Sequence, residues 1–432
     1  MKVVVAGTGY VGLITGVVLA YIGNKVTCID VDTNKIELLN NGKSPIYEQN
    51  LDKYLQLAKD NISFTTDNSC YKDCDVIIIG VGTPERFDGS ANLDYVYNVC
   101  DDIVRYANKN LVVVIKSTVP IGTNDEIEKY FANKRCDIKI SVASNPEFLS
   151  QGTAIHDTLY ANRIIVGALD EKTFTIMRSL YEPLTKAPYN VPYLEMNRRS
   201  AEMVKYASND FLALKISYIN EIANLCSKVG ASIDDVTKGM SYDDRIGSLF
   251  LNAGIGYGGS CFPKDTKALH WLSKVNDCEL ILVKDCIEIN KKQKLVLFNR
   301  LKDDFNNDLK ELNIAILGLS FKPMTDDLRE APSLVNIDML LDYNASITVY
   351  DKVALEKVKK IYGGKLNYAL TIDDAIKDSD AVLIMTEWEE IKNYNPINYK
   401  KYMAKPNVYD GRNCYDPDKM KKIGINYCSI GR

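Results

Sequence analysis

Short, almost uninterrupted apolar runs recur along the chain, and most of them end at a glycine or an acidic residue. They occupy residues 2–6, 25–30, 75–80, 111–115, 141–144 and 163–167 in the N-terminal half and residues 313–318, 347–351, 381–385 and 407–410 in the C-terminal part. Continuous apolar runs of this length are typical of strands that are buried on both faces of a parallel sheet. The pattern therefore predicts an α/β fold with two doubly wound sheets.

The middle of the chain has a different pattern. Neither proline nor glycine occurs from about residue 200 to residue 229, and apolar residues recur there at helical spacing. This predicts a single helix of about 30 residues, well above the usual length, and such a helix commonly carries an interface between domains and subunits. Pro183, Pro188 and Pro192 indicate a connector over residues 185–196. After the helix, Ser232-x-x-Asp235 resembles a capping box.

These patterns predict three domains. We expect an α/β domain over residues 1–195, a central helical domain over residues 196–300 and a second α/β domain over residues 301–432.

Composition narrows the class of protein. The 432 residues carry a formal net charge of −4 with both signs mixed, so we expect no nucleic acid and no membrane as partners. His156 and His270 are the only histidines, and no metal site is predicted. The 11 cysteines are odd in number and lack paired spacing, which favours a reduced, cytoplasmic protein. Glycines interrupt the apolar N-terminus, so a signal peptide is not expected.

A glycine fingerprint follows the first predicted strand. Gly7, Gly9 and Gly12 precede a predicted helix, and Asp30 ends the second strand 18 residues after Gly12. In this context the glycines permit a tight turn, close approach of the backbone to a pyrophosphate and close helix packing, while the helix N-terminus attracts phosphate. A carboxylate at Asp30 suits a ribose diol and disfavours a 2′-phosphate. The predicted cofactor is therefore NAD rather than NADP.

The densest glycine stretch, at residues 252–265, reads NAGIGYGGSCFPKD. Its glycines suit a backbone that wraps closely around a ligand. Cys261 follows them, three residues before Lys264 and four before Asp265. A nearby cation favours the thiolate, which is the reactive form of cysteine. We therefore predict that Cys261 is a nucleophile.

Two further segments follow predicted strands, at the sheet edge where ligands of open α/β sheets bind. They are residues 116–120 (KSTVP) and residues 145–149 (NPEFL). On the residues alone, Glu147 is more simply a solvated loop acid. Lys205 and Asn209 share one helix face because they are four positions apart, and on the residues alone they are more simply a solvated patch.

Taken in order along nearly the whole chain, these motifs resemble the UDP-glucose/GDP-mannose dehydrogenase family. The motifs are the glycine fingerprint, residues 116–120, residues 145–149, Lys205-x-x-x-Asn209, and residues 242–247, 258–265, 321–323, 327–330 and 410–412. The block around Cys261 is the most specific of them. The resemblance implies two Rossmann-like doubly wound domains joined by a central helical domain. It also implies NAD on the first sheet, a UDP-sugar on the second and a homodimer through the long helix.

The resemblance further implies a four-electron oxidation of the C6 alcohol of UDP-glucose to the carboxylate of UDP-glucuronate. Cys261 would add to the intermediate aldehyde to give a thiohemiacetal, whose oxidation yields a thioester that water releases. Lys205 and Asn209 would stabilise the oxyanions. Asp265 would position water or relay a proton, and Glu147 with Thr118 would act in hydrolysis.

By the same resemblance, residues that hold the ligands can be named. Those expected to bind the cofactor are Gly7, Gly9, Tyr10, Val11, Gly12, Asp30, Lys35, Thr83, Thr118, Lys264 and Arg329. Those expected to bind the substrate are Glu147, Phe148, Leu149, Lys205, Asn209, Arg245, Asn252, Gly256, Tyr257, Gly258, Gly259, Phe321, Lys322 and Arg412. Arg245 resembles an arginine that reaches the neighbouring subunit's site. Gln151 departs from the family, because many members have a second glutamate at this position.

Two alternatives stay open at the level of the sequence. The same reaction on another nucleotide sugar, GDP-mannose or a UDP-N-acetylhexosamine, is the nearer one. The β-hydroxyacid dehydrogenases, which also join a dinucleotide-binding domain to a long helix with a Lys-x-x-x-Asn pair, are more distant. They carry out a single two-electron oxidation and need neither Cys261 nor a second sheet.

Overall fold

A computed structural model describes residues 1–432, and the chain divides into two compact units, residues 1–208 and residues 209–432. Each unit contains one sheet with helices on both faces. The predicted α/β class with two Rossmann-like sheets is confirmed.

The sheet of the first unit has eight strands in the order β3-β2-β1-β4-β5-β6-β7-β8, and all neighbours are parallel except β6 and β7. The strands are β1 (Lys2–Ala6), β2 (Lys25–Ile29), β3 (Ile62–Thr65), β4 (Val76–Ile79), β5 (Leu111–Ile115), β6 (Ile140–Ser144), β7 (Ile164–Gly167) and β8 (Tyr193–Met196). The helices are α1 (Tyr10–Tyr21), α2 (Thr33–Asn40), α3 (Leu51–Ala58), α4 (Asp94–Tyr106), α5 (Thr123–Lys134), α6 (Ala154–Leu159) and α7 (Glu171–Thr185).

Two apolar cores cover the two faces of this sheet, and β1 shows why its sequence lacks polar alternation. Val3 and Val5 belong to one core, whereas Val4 and Ala6 belong to the other. Successive side chains of a strand point to opposite faces, so a strand covered on both sides must be apolar throughout. The same reasoning explains the fully buried β4 and β5.

The chain continues through helix α8 (Arg198–Val229), and the boundary between the two units falls within it. The predicted long helix is therefore present, with 32 residues. In the second unit Ile219, Ala223 and Cys226 of this helix pack into the core of the second sheet. One half of the predicted capping box is present, since the Ser232 hydroxyl accepts a hydrogen bond from the Asp235 amide at 3.4 Å.

The second unit contains a six-stranded parallel sheet in the order β11-β10-β9-β12-β13-β14. The strands are β9 (Asn313–Leu317), β10 (Ser346–Tyr350), β11 (Asn367–Tyr368), β12 (Ala381–Ile384), β13 (Asn407–Asp410) and β14 (Asn426–Ser429). The helices after α8 are α9 (Ile233–Ser241), α10 (Phe262–Val275), α11 (Ile281–Gln293), α12 (Val296–Asp304), α13 (Pro332–Asp342), α14 (Leu355–Tyr362), α15 (Ile372–Ile376), α16 (Glu389–Lys392), α17 (Ile397–Tyr402) and α18 (Pro417–Lys422). Both sheets thus share the strand order of dinucleotide-binding folds.

The predicted connector over residues 185–196 is only partly correct. Pro183 lies inside α7, and residues 193–196 form the edge strand β8. Edge strands need no continuous apolar run, and no residue of β8 is fully buried. The outer strands β3, β11 and β14 were not predicted for the same reason, because their short sequences mix polar and apolar residues.

A helix that crosses a bilayer must be both long and apolar. None of the helices is both long enough and apolar enough to cross a membrane.

A buried acid organises the second sheet where β10 ends. Asp351 Oδ2 accepts hydrogen bonds from the Leu319 amide at 2.7 Å and from Trp388 Nε1 at 3.1 Å, and Oδ1 accepts from the Ala354 amide at 2.8 Å. Its side chain is buried. This carboxylate therefore joins three segments of the chain.

We expect Asp351→Ala to lower the free energy of unfolding by about 3 kcal/mol, because several buried donors lose their acceptor. Urea denaturation followed by tryptophan fluorescence measures this change, and Trp388 reports on the altered region. The matched control is Asp342→Ala at an exposed position of α13. Equal unfolding midpoints for the two variants would contradict this role of Asp351.

Candidate active site

The turn between β1 and α1 has the form that a dinucleotide site requires. Gly7 has a φ of 93°, in the left-handed region. A Cβ on Gly12 would lie 1.9 Å from the Gly7 carbonyl oxygen, so only glycine fits there. A Cβ on Gly9, in contrast, would meet nothing within 4 Å. Space is therefore open beside the helix N-terminus, where a pyrophosphate is expected.

Asp30 closes this turn on the side of β2. Its Oδ2 accepts hydrogen bonds from the amide and the hydroxyl of Thr8, both at 2.7 Å, and Lys35 Nζ lies 3.9 Å away. Burial alone would raise the pKa of Asp30, but hydrogen bonds from the Asp32 and Thr8 amides, together with Lys35, hold it below its ordinary value. The group is therefore an ionised acceptor at neutral pH, as a ribose diol requires.

Other predicted cofactor residues of the first unit lie near the carboxyl ends of its central strands. Thr83 follows β4, and its hydroxyl donates to the Thr118 carbonyl oxygen at 2.8 Å, just after β5. Tyr10 and Val11 begin α1, and the Tyr10 hydroxyl accepts a hydrogen bond from the Gly152 amide at 2.8 Å. The structure thus brings these residues to one edge of the sheet.

Glu147 is not the solvated acid that its residues alone suggested. Its Oε1 accepts a hydrogen bond from Lys205 Nζ at 2.8 Å, and its Oε2 accepts one from the Leu149 amide at 2.9 Å. Both charged side chains are buried, with 8% of Glu147 and 3% of Lys205 exposed. Each ion of this buried pair compensates the charge of the other, and removing one partner would leave an uncompensated buried ion.

The residues around this ion pair are also charged or aromatic. The Arg163 guanidinium lies 3.9 Å from the centre of the Phe148 ring, and Lys205 Nζ lies 5.5 Å from the same centre. Gln151, which departs from the family pattern, lies in the turn that precedes α6.

Sequence reasoning missed one functional candidate beside this pair. Lys116 directly follows β5 and is buried, and its Nζ donates to Asn145 Oδ1 at 3.1 Å. Burial lowers the pKa of Lys116 to about 8; Glu147 acts in the opposite direction and Lys205 in the same direction. The signal available in the sequence was a lysine directly after a continuous apolar strand, where a charge without a function is rare.

In the second unit Cys261 lies at the N-terminus of α10. It is exposed, and Arg329 has an electrostatic interaction with its thiol. A helix N-terminus and a nearby guanidinium both stabilise a thiolate. The sequence suggested Lys264 as this cation, but the Lys264 ammonium contacts Asp265 Oδ1.

Asp265 and Asn209 form a second polar pair. Asn209 Nδ2 donates to Asp265 Oδ2 at 2.6 Å, and both residues are buried. Because Asp265 belongs to the first turn of α10, it is one helical turn from Cys261, whose carbonyl oxygen accepts from the Asp265 amide at 2.8 Å. The start of α10 thereby holds the Cys261 thiol and the Asp265 carboxylate one turn apart, and Asp265 in turn binds the Asn209 amide of α8.

The backbone of the glycine-rich stretch packs closely against neighbouring residues of the second unit. Gly259 has a φ of 84°, and a Cβ there would lie 2.8 Å from the Phe321 ring. Asn290 binds the backbone of Tyr257 on both sides, accepting from its amide at 2.8 Å and donating to its carbonyl oxygen at 3.0 Å. Gly256 and Gly258 would likewise bring a Cβ within 2.6 Å of neighbouring atoms. The Tyr257 side chain is buried against Cys286, so any ligand contact at this residue is left to its backbone.

The remaining predicted substrate residues fall into two groups. Phe321, Lys322 and Arg412 lie together at the carboxyl ends of β9 and β13: Lys322 Nζ is 5.7 Å from the Phe321 ring centre, and Arg412 Nη2 donates to the Phe321 carbonyl oxygen at 3.1 Å. Asn252 and Arg245 are exposed, and the Arg245 guanidinium pairs with its neighbour Asp243 at 2.7 Å.

With this geometry established, comparison with known proteins identifies the family. Three models of the UDP-glucose/GDP-mannose dehydrogenase family match the chain: the NAD-binding domain at residues 1–185, the central domain at residues 199–292 and the UDP-binding domain at residues 315–417. The chain belongs to this family.

Individual relatives agree with the family assignment. The chain is 45% identical to UDP-glucose 6-dehydrogenase YwqF of Bacillus subtilis over 100% of its own length and 98% of that protein. It is 41% identical to UDP-glucose 6-dehydrogenase of Rhizobium meliloti over the full length of both. The structure of a UDP-glucose dehydrogenase from Pyrobaculum islandicum superimposes with a TM-score of 0.91 at 33% identity and covers 99% of this chain and 96% of that one.

The comparisons confirm several predictions together. The chain is an oxidoreductase of this family, its cofactor is NAD, and its C-terminal sheet is the family's UDP-binding domain. The turn at Gly7–Gly12, the ionised Asp30 and the open space beside Gly9 fit NAD on the structure's own terms.

Gly9 and Gly12 provide a matched pair of variants for the cofactor site. We expect Gly9→Ala to fold normally but to weaken NADH binding at least about tenfold, because its methyl group enters the space left for the pyrophosphate. We expect Gly12→Ala to lose thermal stability as well, because its Cβ meets the Gly7 carbonyl oxygen. Calorimetric titration with NADH and thermal unfolding measure the two effects. Normal NADH binding by Gly9→Ala would contradict this placement of the pyrophosphate.

Proposed function

We propose that this protein oxidises the C6 alcohol of UDP-glucose to the carboxylate of UDP-glucuronate in two successive two-electron steps, with Cys261 as the covalent nucleophile. The observation that carries the proposal is the start of α10, where an exposed cysteine, a nearby guanidinium and a buried carboxylate occur together. A single two-electron oxidation would need no nucleophile. Sequence identity of 41–45% over the whole chain to several UDP-glucose 6-dehydrogenases supports the choice of sugar.

Cys261 acts after the first oxidation has produced an aldehyde. Its thiolate adds to the carbonyl carbon, and the carbonyl oxygen becomes the oxyanion of a thiohemiacetal. The second oxidation converts this adduct into a thioester, which water attacks as the thiolate leaves. When bound, NAD accepts the hydride that leaves C6 in each oxidation.

The polar groups on α8 and α10 suit the charge that develops. Lys205 and Asn209 present a cation and an amide donor one helical turn apart, and both serve oxyanions. Glu147 and Asp265, which bind them, are the candidates to take the proton of the attacking water, with Thr118 as an accessory donor. Gln151 can orient a water molecule but cannot accept its proton, so the weight rests on Glu147 and Asp265.

Each ligand has its own set of residues in this proposal. Gly7, Gly9, Gly12, Asp30 and Lys35 hold NAD, together with Tyr10, Val11, Thr83, Thr118, Lys264 and Arg329. Phe321, Lys322 and Arg412 bind the nucleotide of the sugar substrate, together with Phe148, Leu149, Asn252 and the backbone of residues 256–259.

We also propose the three-domain division at residues 195 and 300 and a cytoplasmic location, the latter on the basis of the odd cysteine count.

The four-electron reaction predicts two NADH formed for each UDP-glucose consumed. The ratio is measured by absorbance of NADH and chromatography of the sugar nucleotides, with UDP-GlcNAc, UDP-ManNAc and GDP-mannose tested in parallel. A ratio of one would exclude the proposed mechanism, and faster turnover of another sugar would change the substrate.

Cys261→Ser should abolish uronate formation from both the alcohol and the aldehyde, because a serine hydroxyl lacks the thiolate's nucleophilicity at neutral pH. The matched control is Cys136→Ser, a second exposed cysteine, which should keep full activity. Chromatography of the product measures both variants. Uronate production by Cys261→Ser at the normal rate would remove this residue from the mechanism.

We further propose that a second copy of the chain covers the exposed face of α8 and that Arg245 reaches the neighbouring site. Phe211, Tyr218 and Leu225 recur every seven residues and are 62%, 51% and 57% exposed. Residues at this spacing share one helix face, and such an apolar stripe favours a helix-to-helix interface. Arg245 is 89% exposed and therefore accessible to another chain.

Glutamate at Phe211, Tyr218 and Leu225 together should convert the dimer into a monomer, because like charges would face each other across the interface. Analytical ultracentrifugation measures the mass of each species. Lys172→Glu, at an exposed position of α7, is the control and should leave the mass unchanged. A wild-type protein that sediments as a monomer would contradict the proposed dimer.

A further inference from the structure

One buried carboxyl group of the second unit has no hydrogen-bond partner on any other residue. Asp210 follows Asn209 on α8 and is 7% exposed, and neither of its carboxyl oxygens receives a hydrogen bond from another residue. Buried polar groups are nearly always paired, so such an exception calls for an explanation. Asp210 lies directly beside Asn209, the proposed oxyanion donor, which suggests a role in the reaction.

The groups around Asp210 come from three other elements. Asp265 of α10, Tyr257 of the glycine-rich stretch and Cys286 of α11 each interact electrostatically with it. None of them carries a positive charge, and the nearby Lys264 ammonium is engaged by Asp265. Along its own helix, Ala213 and Ser217 continue the same face, and both are buried. The surroundings therefore offer no compensation for an ionised Asp210.

A carboxyl group in these surroundings favours its neutral form. Burial, with a smaller contribution from the charge of Asp265, raises the pKa of Asp210 to about 8. The group is thus protonated at neutral pH and loses its proton under mildly alkaline conditions. The charge of Asp210 therefore changes between neutral and mildly alkaline pH, a range in which an ordinary aspartate stays ionised.

We propose that Asp210 is a positioning residue for the reaction, held as a neutral acid so that the Asn209–Asp265 pair carries a single negative charge. The inference rests on the proposed function, because it assigns the effect to steps that build oxyanions. When Asp210 ionises, a second negative charge lies beside Asp265. This charge disfavours the thiohemiacetal oxyanion and the tetrahedral species of hydrolysis, and turnover falls.

The pH dependence of kcat and KM tests this role. For the wild-type enzyme we expect kcat with UDP-glucose to fall roughly three- to tenfold between about pH 7 and about pH 9, with little change in KM. Asp210→Asn, which has nearly the shape of the protonated acid and cannot ionise, should keep its kcat over this interval. A purely structural role would lower activity at every pH and leave the shape of the profile unchanged.

The control is Asp102→Asn on α4, another carboxyl group whose pKa is raised by burial. It should retain the wild-type profile. If Asp210→Asn does not fold, Asp210→Ser provides the same comparison, since it also removes the ionisable group.

Infrared difference spectra measure the proton itself, without turnover. Between about pH 7 and about pH 9 the wild-type enzyme should lose the carbonyl-stretch band of one protonated carboxylic acid, and the Asp210 variant should lack this change. Identical pH profiles for wild type and variant, or identical spectra, overturn the proposal. Failure of the proposed function is a separate result, because it is seen as absence of NADH formation from UDP-glucose. The infrared measurement needs no turnover and tests the protonation of Asp210 in either case.

Discussion

Helix α8 buries an ammonium group, an amide and a carboxyl group close together in sequence, and the proposed chemistry depends on how each one is compensated within its own unit. Lys205 is paired with Glu147 at 2.8 Å, and Asn209 is bound to Asp265 at 2.6 Å. Asp210 receives no hydrogen bond from another residue, and burial raises its pKa to about 8. Burying charge is costly unless it is paired. Compensated buried charge on this helix is what the proposed reaction through successive oxyanions requires.

The two sheets show how the same strand-end acid can serve different purposes. Asp30 and Asp351 both follow the second strand of a sheet in the same order and accept hydrogen bonds from the turn after the first strand. Asp351 is fully used by the protein, including the Trp388 indole, whereas Asp30 lies beside an open turn with a glycine fingerprint. The first sheet can bind a ribose through its acid, and the second sheet must recognise its nucleotide through other residues.

Much of this arrangement could be predicted from the sequence because burial on both faces leaves a strong apolar signal. The central strands, the long helix and the glycine turn all follow from local patterns. The edge strand β8 did not, because strands at an edge tolerate polar residues. The pairing of Glu147 with Lys205 also escaped local reasoning, since the two residues are 58 positions apart and only the fold joins them. The unpartnered state of Asp210 is likewise a property of its three-dimensional surroundings.

In the proposed reaction the substrate becomes covalently attached to Cys261, one of eleven cysteines. The most direct measurement is mass spectrometry of the enzyme quenched during turnover with UDP-glucose and NAD, followed by peptide mapping. A Glu147→Gln variant, in which hydrolysis is slowed, is expected to accumulate the acyl adduct. We expect an adduct of the mass of the uronyl nucleotide on the peptide that contains Cys261. An adduct on any other cysteine, or turnover to uronate with no adduct detectable on Cys261, would contradict it.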